Sequence, residues 1–257
     1  MSKCAYNTKE QIQDVIKNLK EKNIPIETIN IDGGWFTENY YQTIGTDACD
    51  FNWNVKNMGS RKELVTYMKE NGYRMCMWIN PYIAEGIPMY EEASKRGYLV
   101  RDINGGFARI ESGEPAGLVD FTNEAAVNWW KNYLYELLED GVECLKADYS
   151  ERVPETALFL NGKTGKEMHN IYPHLYVKVV DEATYKYKKE HIVFRRSGYI
   201  GTQKYAVTWS GDCQTTWSSL KCVIRAGLSA GLTGEAFWSH DIGGFTGPKP
   251  TDELYVR

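Results

Sequence analysis

A chain of 257 residues, 42% hydrophobic and 25% charged with a net charge of −4, is long enough for one domain with a sizeable core and an ordinary water-facing surface. That charge balance argues against nucleic acid and anionic membranes as partners. The N-terminal stretch MSKCAYNTKE lacks an apolar signal core and no apolar run is long enough to span a bilayer, so a cytoplasmic location is expected.

From Thr8 onward Ile12, Val15, Ile16 and Leu19 recur at helical spacing, with Asn7 and Glu10 placed as a capping box, and TINID at 28–32 reads as a strand. The helix-strand unit then repeats. A helix over 61–71 precedes YRMCMWIN at 73–80, and a helix over 124–139, entered from Asn123, precedes ECLKAD at 143–148. A helix over 169–189 leads to IVFRRS at 192–197, AVTWSGD at 206–212 is a short strand, and a helix over 214–229 leads to LTGEAFWSHD at 232–241. The stretches 33–60, 82–118, 150–168 and 242–251 read as loops after strands, the second with a small excursion ending in LVDFTN.

Near-continuous apolar strands alternating with helices indicate an α/β chain with a parallel sheet. No GxGxxG or GxxxxGK[ST] follows a strand, which favours a (β/α)8 barrel over a nucleotide-binding sheet. The six cysteines, Cys4, Cys49, Cys76, Cys144, Cys213 and Cys222, show no CxxC or metal-finger spacing. They read as reduced, mostly buried thiols of a cytosolic protein.

Polar residues collect where the strands end: Asp32, then Trp78 and Asn80, Lys146 and Asp148, Arg196, Trp209 and Asp212, and finally His240 and Asp241. In a parallel barrel these ends share one face, and sites are built there. Two carboxylates flanking a scissile bond suffice for glycoside hydrolysis, one attacking or activating water and the other donating a proton. Lys146 and Arg196 are expected to keep Asp148 ionised by lowering its pKa, and a neighbouring carboxylate to favour the protonated form of Asp212. The 8 Trp and 18 Tyr could supply ring faces for a sugar, or simply fill the core. An acid at a strand end equally serves as a helix cap or salt-bridge partner, and oxygen ligands would also suit magnesium, although no DxD or HxxxH spacing supports a metal.

The stretches MCMWINPYI, LKADYSERVPET, EMHNIYPHLY, VFRRSGYIGTQKYAVTWSGDC and RAGLSAGLTGEAFWSHDIGGF resemble the catalytic barrel of glycoside hydrolase family 31, most of all its bacterial α-xylosidases, across nearly the whole chain. The resemblance implies a retaining hydrolase of α-xylosides, with plant xyloglucan-type oligosaccharides or small α-glycosides as substrates and no metal or organic cofactor. It implies that Asp148, in KADYSE where relatives commonly show KTDFGE, is the nucleophile, and that Asp212, in WSGDC, is the general acid/base. Asp32, Trp78, Lys146, Arg196 and Trp209 would line the sugar pocket, Asp32 and Arg196 gripping hydroxyls and the tryptophans walling the ring. His240 and Asp241 match the family pattern but read best as a hydrogen-bonded structural pair beneath the pocket. Glu151 could support a neighbouring Arg or Lys, and His169 and His174 are not read as ligands.

The chain departs from the family in two ways. Its first and last barrel strands are expected to be missing, as are a flanking N-terminal β-sandwich, C-terminal β-domains and a late substrate-binding His, so residues 1–257 read as part of the catalytic domain of a longer glycosidase, weakly active or inactive alone. Oligomerisation of full-length relatives is left open. Secondly, Gly33 and Gly34 follow Asp32 where α-xylosidases tend to carry bulkier residues against the sugar C6 group, which keeps an α-glucosidase or α-transglycosylase as an alternative. An inactive sugar-binding fragment is a further alternative, and a metal-dependent lyase a remote one.

Overall fold

A computed structural model of the chain describes residues 2–3, 6–36, 49–110 and 115–257. Cys4 and the 37–48 part of the first loop lie outside the described residues.

The strands are β1 (Ser2–Lys3), β2 (Thr28–Ile31), β3 (Arg74–Ile79), β4 (Cys144–Ala147), β5 (Ile192–Arg195), β6 (Ala206–Trp209) and β7 (Trp238–Ser239). They form one seven-stranded sheet whose spatial order follows chain order. Every neighbouring pair is parallel. This is an incomplete (β/α)8 barrel, as expected, with one amendment: β1 stands where a first strand was expected to be missing, pairing Ser2 with Asn30 and Lys3 with Ile31. Among the described residues β1 and β7 are the sheet edges.

Helices α1 (Lys9–Glu21), α2 (Arg61–Glu70), α3 (Glu124–Glu139), α4 (Tyr172–Lys188) and α5 (Trp217–Leu232) each precede the next barrel strand, while β6 follows β5 with only a short 3-10 turn between. Their starts are set by local chemistry. The side chains of Thr8, Ser60, Asn123 and Thr216 accept hydrogen bonds from backbone N–H groups of the first turn, each worth about 1 kcal/mol. The anticipated Asn7/Glu10 capping box is therefore displaced by one residue. Thr8 is the N-cap of α1, and Gln11 rather than Glu10 reaches back, its Oε1 accepting from the Asn7 N–H at 3.0 Å.

Burial follows the expected faces. Ile12, Ile16 and Leu19 of α1 are buried, and in β3 every residue but Arg74 is buried, the mark of a strand covered on both sides. Much of the aromatic content fills the core: Phe121 stacks on Tyr176, and Trp130 and Tyr172 are fully buried. Two of these rings also tie elements together, Tyr176 Oη donating to the Ile79 carbonyl at 3.1 Å and Tyr172 Oη to the Val119 carbonyl at 2.8 Å.

Two stretches differ from the sequence reading. Residues 82–118 hold more than a loop: a helix at Pro88–Arg96 and an antiparallel three-stranded sheet of Tyr82–Ala84, Ala116–Leu118 and Arg109–Ile110. That helix is short and polar, with Pro at its start and Gly97 closing it at φ 68°, so hydrophobic periodicity alone does not reveal it. At the other end α5 runs to Leu232, leaving only Trp238–Ser239 of the expected 232–241 strand. The α5 side of the molecule exposes Leu228, Leu232, Phe237 and Ile242. Among the described residues no helix is long and apolar enough to cross a membrane.

Candidate active site

The C-terminal ends of β2 to β6 deliver their polar residues to one place. In register across β3, β4 and β5, Trp78 lies beside Lys146 and Lys146 beside Phe194, so these side chains share the interior face of the sheet. Lys146 is the hub. Its Nζ donates to Asp32 Oδ2 at 2.8 Å, lies 3.8 Å from Asp148 Oδ2, and sits 4.6 Å from the centroid of the Trp209 ring. Asp32 is fixed on its other sides by Asn30 Nδ2 at 3.0 Å and by the Gly33 N–H at 3.2 Å.

Asp148 follows the last residue of β4 and is 5% exposed. Burying a lone carboxylate is costly, and here the cost is met by donors on every side. Trp78 Nε1 donates to Oδ2 at 2.7 Å, while the Tyr149 N–H and Arg196 Nη1 donate to Oδ1 at 2.7 and 3.2 Å. The same Arg196 nitrogen donates to Asp212 Oδ2 at 3.2 Å. The two carboxylates thus lie within twice that distance of each other, with Asp148 buried below and Asp212 exposed at the mouth.

Arg196 is itself clamped. Its Nη2 meets Glu151 Oε1 at 3.1 Å, Ser197 Oγ donates to Glu151 Oε2 at 2.8 Å, and the guanidinium carbon lies 4.8 Å from the Tyr149 ring centroid. The turn that brings Glu151 back toward the site runs through two consecutive left-handed residues, Tyr149 at φ 55° and Ser150 at φ 78°. Such backbone is unfavourable for non-glycine residues and concentrates where geometry is demanding.

Electrostatics correct one expectation. Burial raises the Asp148 pKa above its ordinary value, and Lys146, Arg196 and the Trp78 N–H oppose that rise without reversing it. For Lys146, burial pulls the pKa down, but the charges of Asp32 and Asp148 more than compensate and hold it above the usual lysine value. Arg196 is likewise held high, burial opposing and Asp148, Glu151 and Asp212 prevailing.

All seven residues singled out in the sequence are brought together: Asp32, Trp78, Lys146, Asp148, Arg196, Trp209 and Asp212. Trp78 and Trp209 are 3% and 4% exposed, so most of their ring surface packs inside, Trp209 against Phe194 at 4.7 Å. Asn80 serves the turn after β3, its Oδ1 accepting from the Tyr82 N–H at 2.9 Å. His240 and Asp241 are not joined through the carboxylate: His240 Nδ1 meets the Asp241 backbone carbonyl at 3.1 Å. The Asp241 carboxyl belongs electrically to the cluster, its pKa raised by burial, lowered by Lys146 and raised again by Asp212, Asp32 and Asp148. The position of Asp241 at a strand exit in WSHDIGGF is the signal for this, although the expected pairing with His240 obscures it.

The two glycines after Asp32 do not both open space for a sugar. A Cβ on Gly34 would lie 2.8 Å from the backbone oxygen of Tyr6, closer than van der Waals contact permits, so this position faces the N-terminal segment with no room for a side chain.

The family model for the "Glycosyl hydrolases family 31 TIM-barrel domain" matches residues 1–257. An α-xylosidase from Emericella nidulans is 34% identical over 246 residues, covering 94% of this chain and 30% of that protein. The α-xylosidase XylQ of Lactiplantibacillus pentosus is 34% identical over 258 residues, covering 97% of this chain and 33% of that protein. A family 31 dextranase from Flavobacterium johnsoniae, solved with glucose, superposes with a TM-score of 0.87 at 28% identity, covering 99% of this chain and 33% of its own. The chain therefore spans about a third of the length of these relatives.

Proposed function

This chain belongs to glycosyl hydrolase family 31, and on that premise we propose that its strand-end cluster is the sugar-cleaving site of a retaining α-glycosidase acting on α-xylosides, including xyloglucan-type oligosaccharides. The observation that carries the reading is the bridge from one Arg196 nitrogen to both Asp148 and Asp212. It supports a spacing near the ~5–5.5 Å at which one carboxylate attacks carbon directly, too close for the intervening water of an inverting enzyme.

In the first step Asp148 attacks the anomeric carbon while Asp212 protonates the departing glycosidic oxygen, forming a β-linked glycosyl-enzyme. In the second, Asp212 takes a proton from water, which displaces Asp148 and releases α-configured sugar. Burial and exposure fit these roles. A nucleophile fixed by the Trp78 and Tyr149 N–H groups is aimed without reorganisation, and an acid/base at the mouth can exchange protons with solvent. Lys146 and Arg196 place positive charge beside the departing carboxylate, and Asp32 and Arg196 are the candidates for charge-assisted bonds to sugar hydroxyls.

The α-xylosidase relatives support xylose as the sugar. A second reading, an α-glucosidase or α-transglycosylase, is favoured by the missing side chains at Gly33 and Gly34, but the inward crowding at Gly34 removes half of that argument. Turnover of α-xyloside and α-glucoside by the full-length protein and its Asp148→Ala variant separates these possibilities. We expect α-xyloside to be cleaved faster, with α-xylose released first, and the variant to be inactive on both. Near-normal turnover by the variant would remove the nucleophile, and a preference for α-glucoside would favour the second reading.

A further inference from the structure

Cys76 and Cys144 are directly opposed on β3 and β4. Side chains alternate along a strand, so Cys76 faces the same way as Trp78, and Cys144 the same way as Lys146. Both thiols therefore lie in the barrel interior, one layer beneath residues that hold Asp148. Neighbouring strands run about 4.8 Å apart, inside the ~4.4–6.8 Å range of Cα separations over which disulfides form. Both cysteines are free, Cys76 is 2% exposed and Cys144 is partly exposed. The neighbouring thiols act on each other electrically, Cys76 lowering the Cys144 pKa and Cys144, together with burial, raising that of Cys76.

We propose that Cys76 and Cys144 form a redox-modification site that a hydroperoxide converts to an intramolecular disulfide, slowing turnover at the site above. The more accessible Cys144 attacks the peroxide as thiolate, forming an S–O bond as the O–O bond breaks and releasing water (for hydrogen peroxide) or an alcohol. Cys76 then attacks the sulfenic sulfur, forming the S–S bond as the S–O bond breaks. A second water leaves, carrying the remaining thiol proton. Two thiols are oxidised by two electrons and one peroxide is reduced.

A disulfide is most relaxed at a Cα separation of ~5.5–6 Å, wider than the ~4.8 Å strand spacing, so the new bond presses apart the very strands that position Trp78 and Lys146. A close-packed interior transmits such a shift rather than absorbing it. Displacements of about 1 Å can cost on the order of 100-fold in rate, and we expect a loss of about tenfold. The effect on turnover rests on the proposed hydrolase reading, whereas the cross-link does not.

The test treats the full-length protein with hydrogen peroxide, alkylates remaining thiols under denaturing conditions and maps peptides by mass spectrometry alongside α-xyloside turnover. We expect a Cys76–Cys144 linked peptide lacking two hydrogens, a matching fall in activity, recovery with dithiothreitol, and resistance in Cys144→Ser. Cys76→Ala gives the same comparison should the first variant not fold. No linked peptide from folded protein, a link with turnover unchanged, or equal inactivation of the cysteine variants would overturn the proposal. A protein with no hydrolase activity that still forms the link would instead contradict the hydrolase reading alone.

Discussion

Arg196 donates through Nη1 to Asp148 at 3.2 Å, joining the exit of β5 to the exit of β4 across the site. Because Asp212 shares that nitrogen and Glu151 holds the other, the guanidinium sets both the spacing and the charge of the two central carboxylates.

The first expectation concerns pH. Burial places the Asp148 pKa above its ordinary 3.8, so kcat/KM should rise with pH along an acid limb above that value as the proposed nucleophile ionises. Arg196 lowers this pKa, so Arg196→Met should move the limb to higher pH as well as reducing turnover. A pH profile of both proteins checks this; a limb unmoved by the substitution would show that another group governs it.

Stability should run opposite to activity at Asp148. Its folded-state pKa is raised, so the folded protein binds this proton more tightly than the unfolded chain does. The contribution is complete below the unfolded value near 3.8 and is lost as pH rises through the folded value. Asp148→Asn, neutral and of the same shape, is therefore expected to abolish hydrolysis while raising Tm at neutral pH. Differential scanning calorimetry of the two proteins gives the sign directly.

Ser150 combines a left-handed backbone with an Oγ that is buried and lacks a hydrogen-bond partner among the described residues. Glycine adopts that backbone freely. Ser150→Gly should stabilise the fold by about 1–2 kcal/mol, read as a shift in denaturation midpoint at unchanged m-value.

Gly34 tests the opposite situation. A Cβ there would press on the Tyr6 carbonyl at 2.8 Å. Gly34→Ala should lower stability by about 1–3 kcal/mol without enlarging or narrowing sugar preference, as measured by unfolding and by the xyloside-to-glucoside ratio.

The family and the clustering of these side chains are readable in the sequence because both depend on short runs at strand exits: TINID, WIN, KAD, RRS and WSGD each place a charged or aromatic group at the end of an apolar strand. Less readable was whatever depends on three-dimensional balance. Lys146 and Arg196 were expected to keep the Asp148 pKa low, but the depth of burial that reverses the net direction is set by the assembled barrel. Gly34 looked like open space, and only the path of Tyr6 shows where its missing side chain would point. The Pro88–Arg96 helix is hidden in a long polar stretch, and Asp241 is legible as a strand-end residue but not as a charge coupled to Lys146.

Azide rescue tests the central claim most directly, because the stereochemistry of the product reports which aspartate is missing. With an activated α-xyloside, Asp148→Gly leaves room for azide to attack from the nucleophile's own side and should yield β-xylosyl azide. In Asp212→Ala, azide should instead intercept the glycosyl-enzyme and yield α-xylosyl azide. The same anomer from both variants, or no rescue of either while both remain folded, would contradict the paired roles assigned to these two residues.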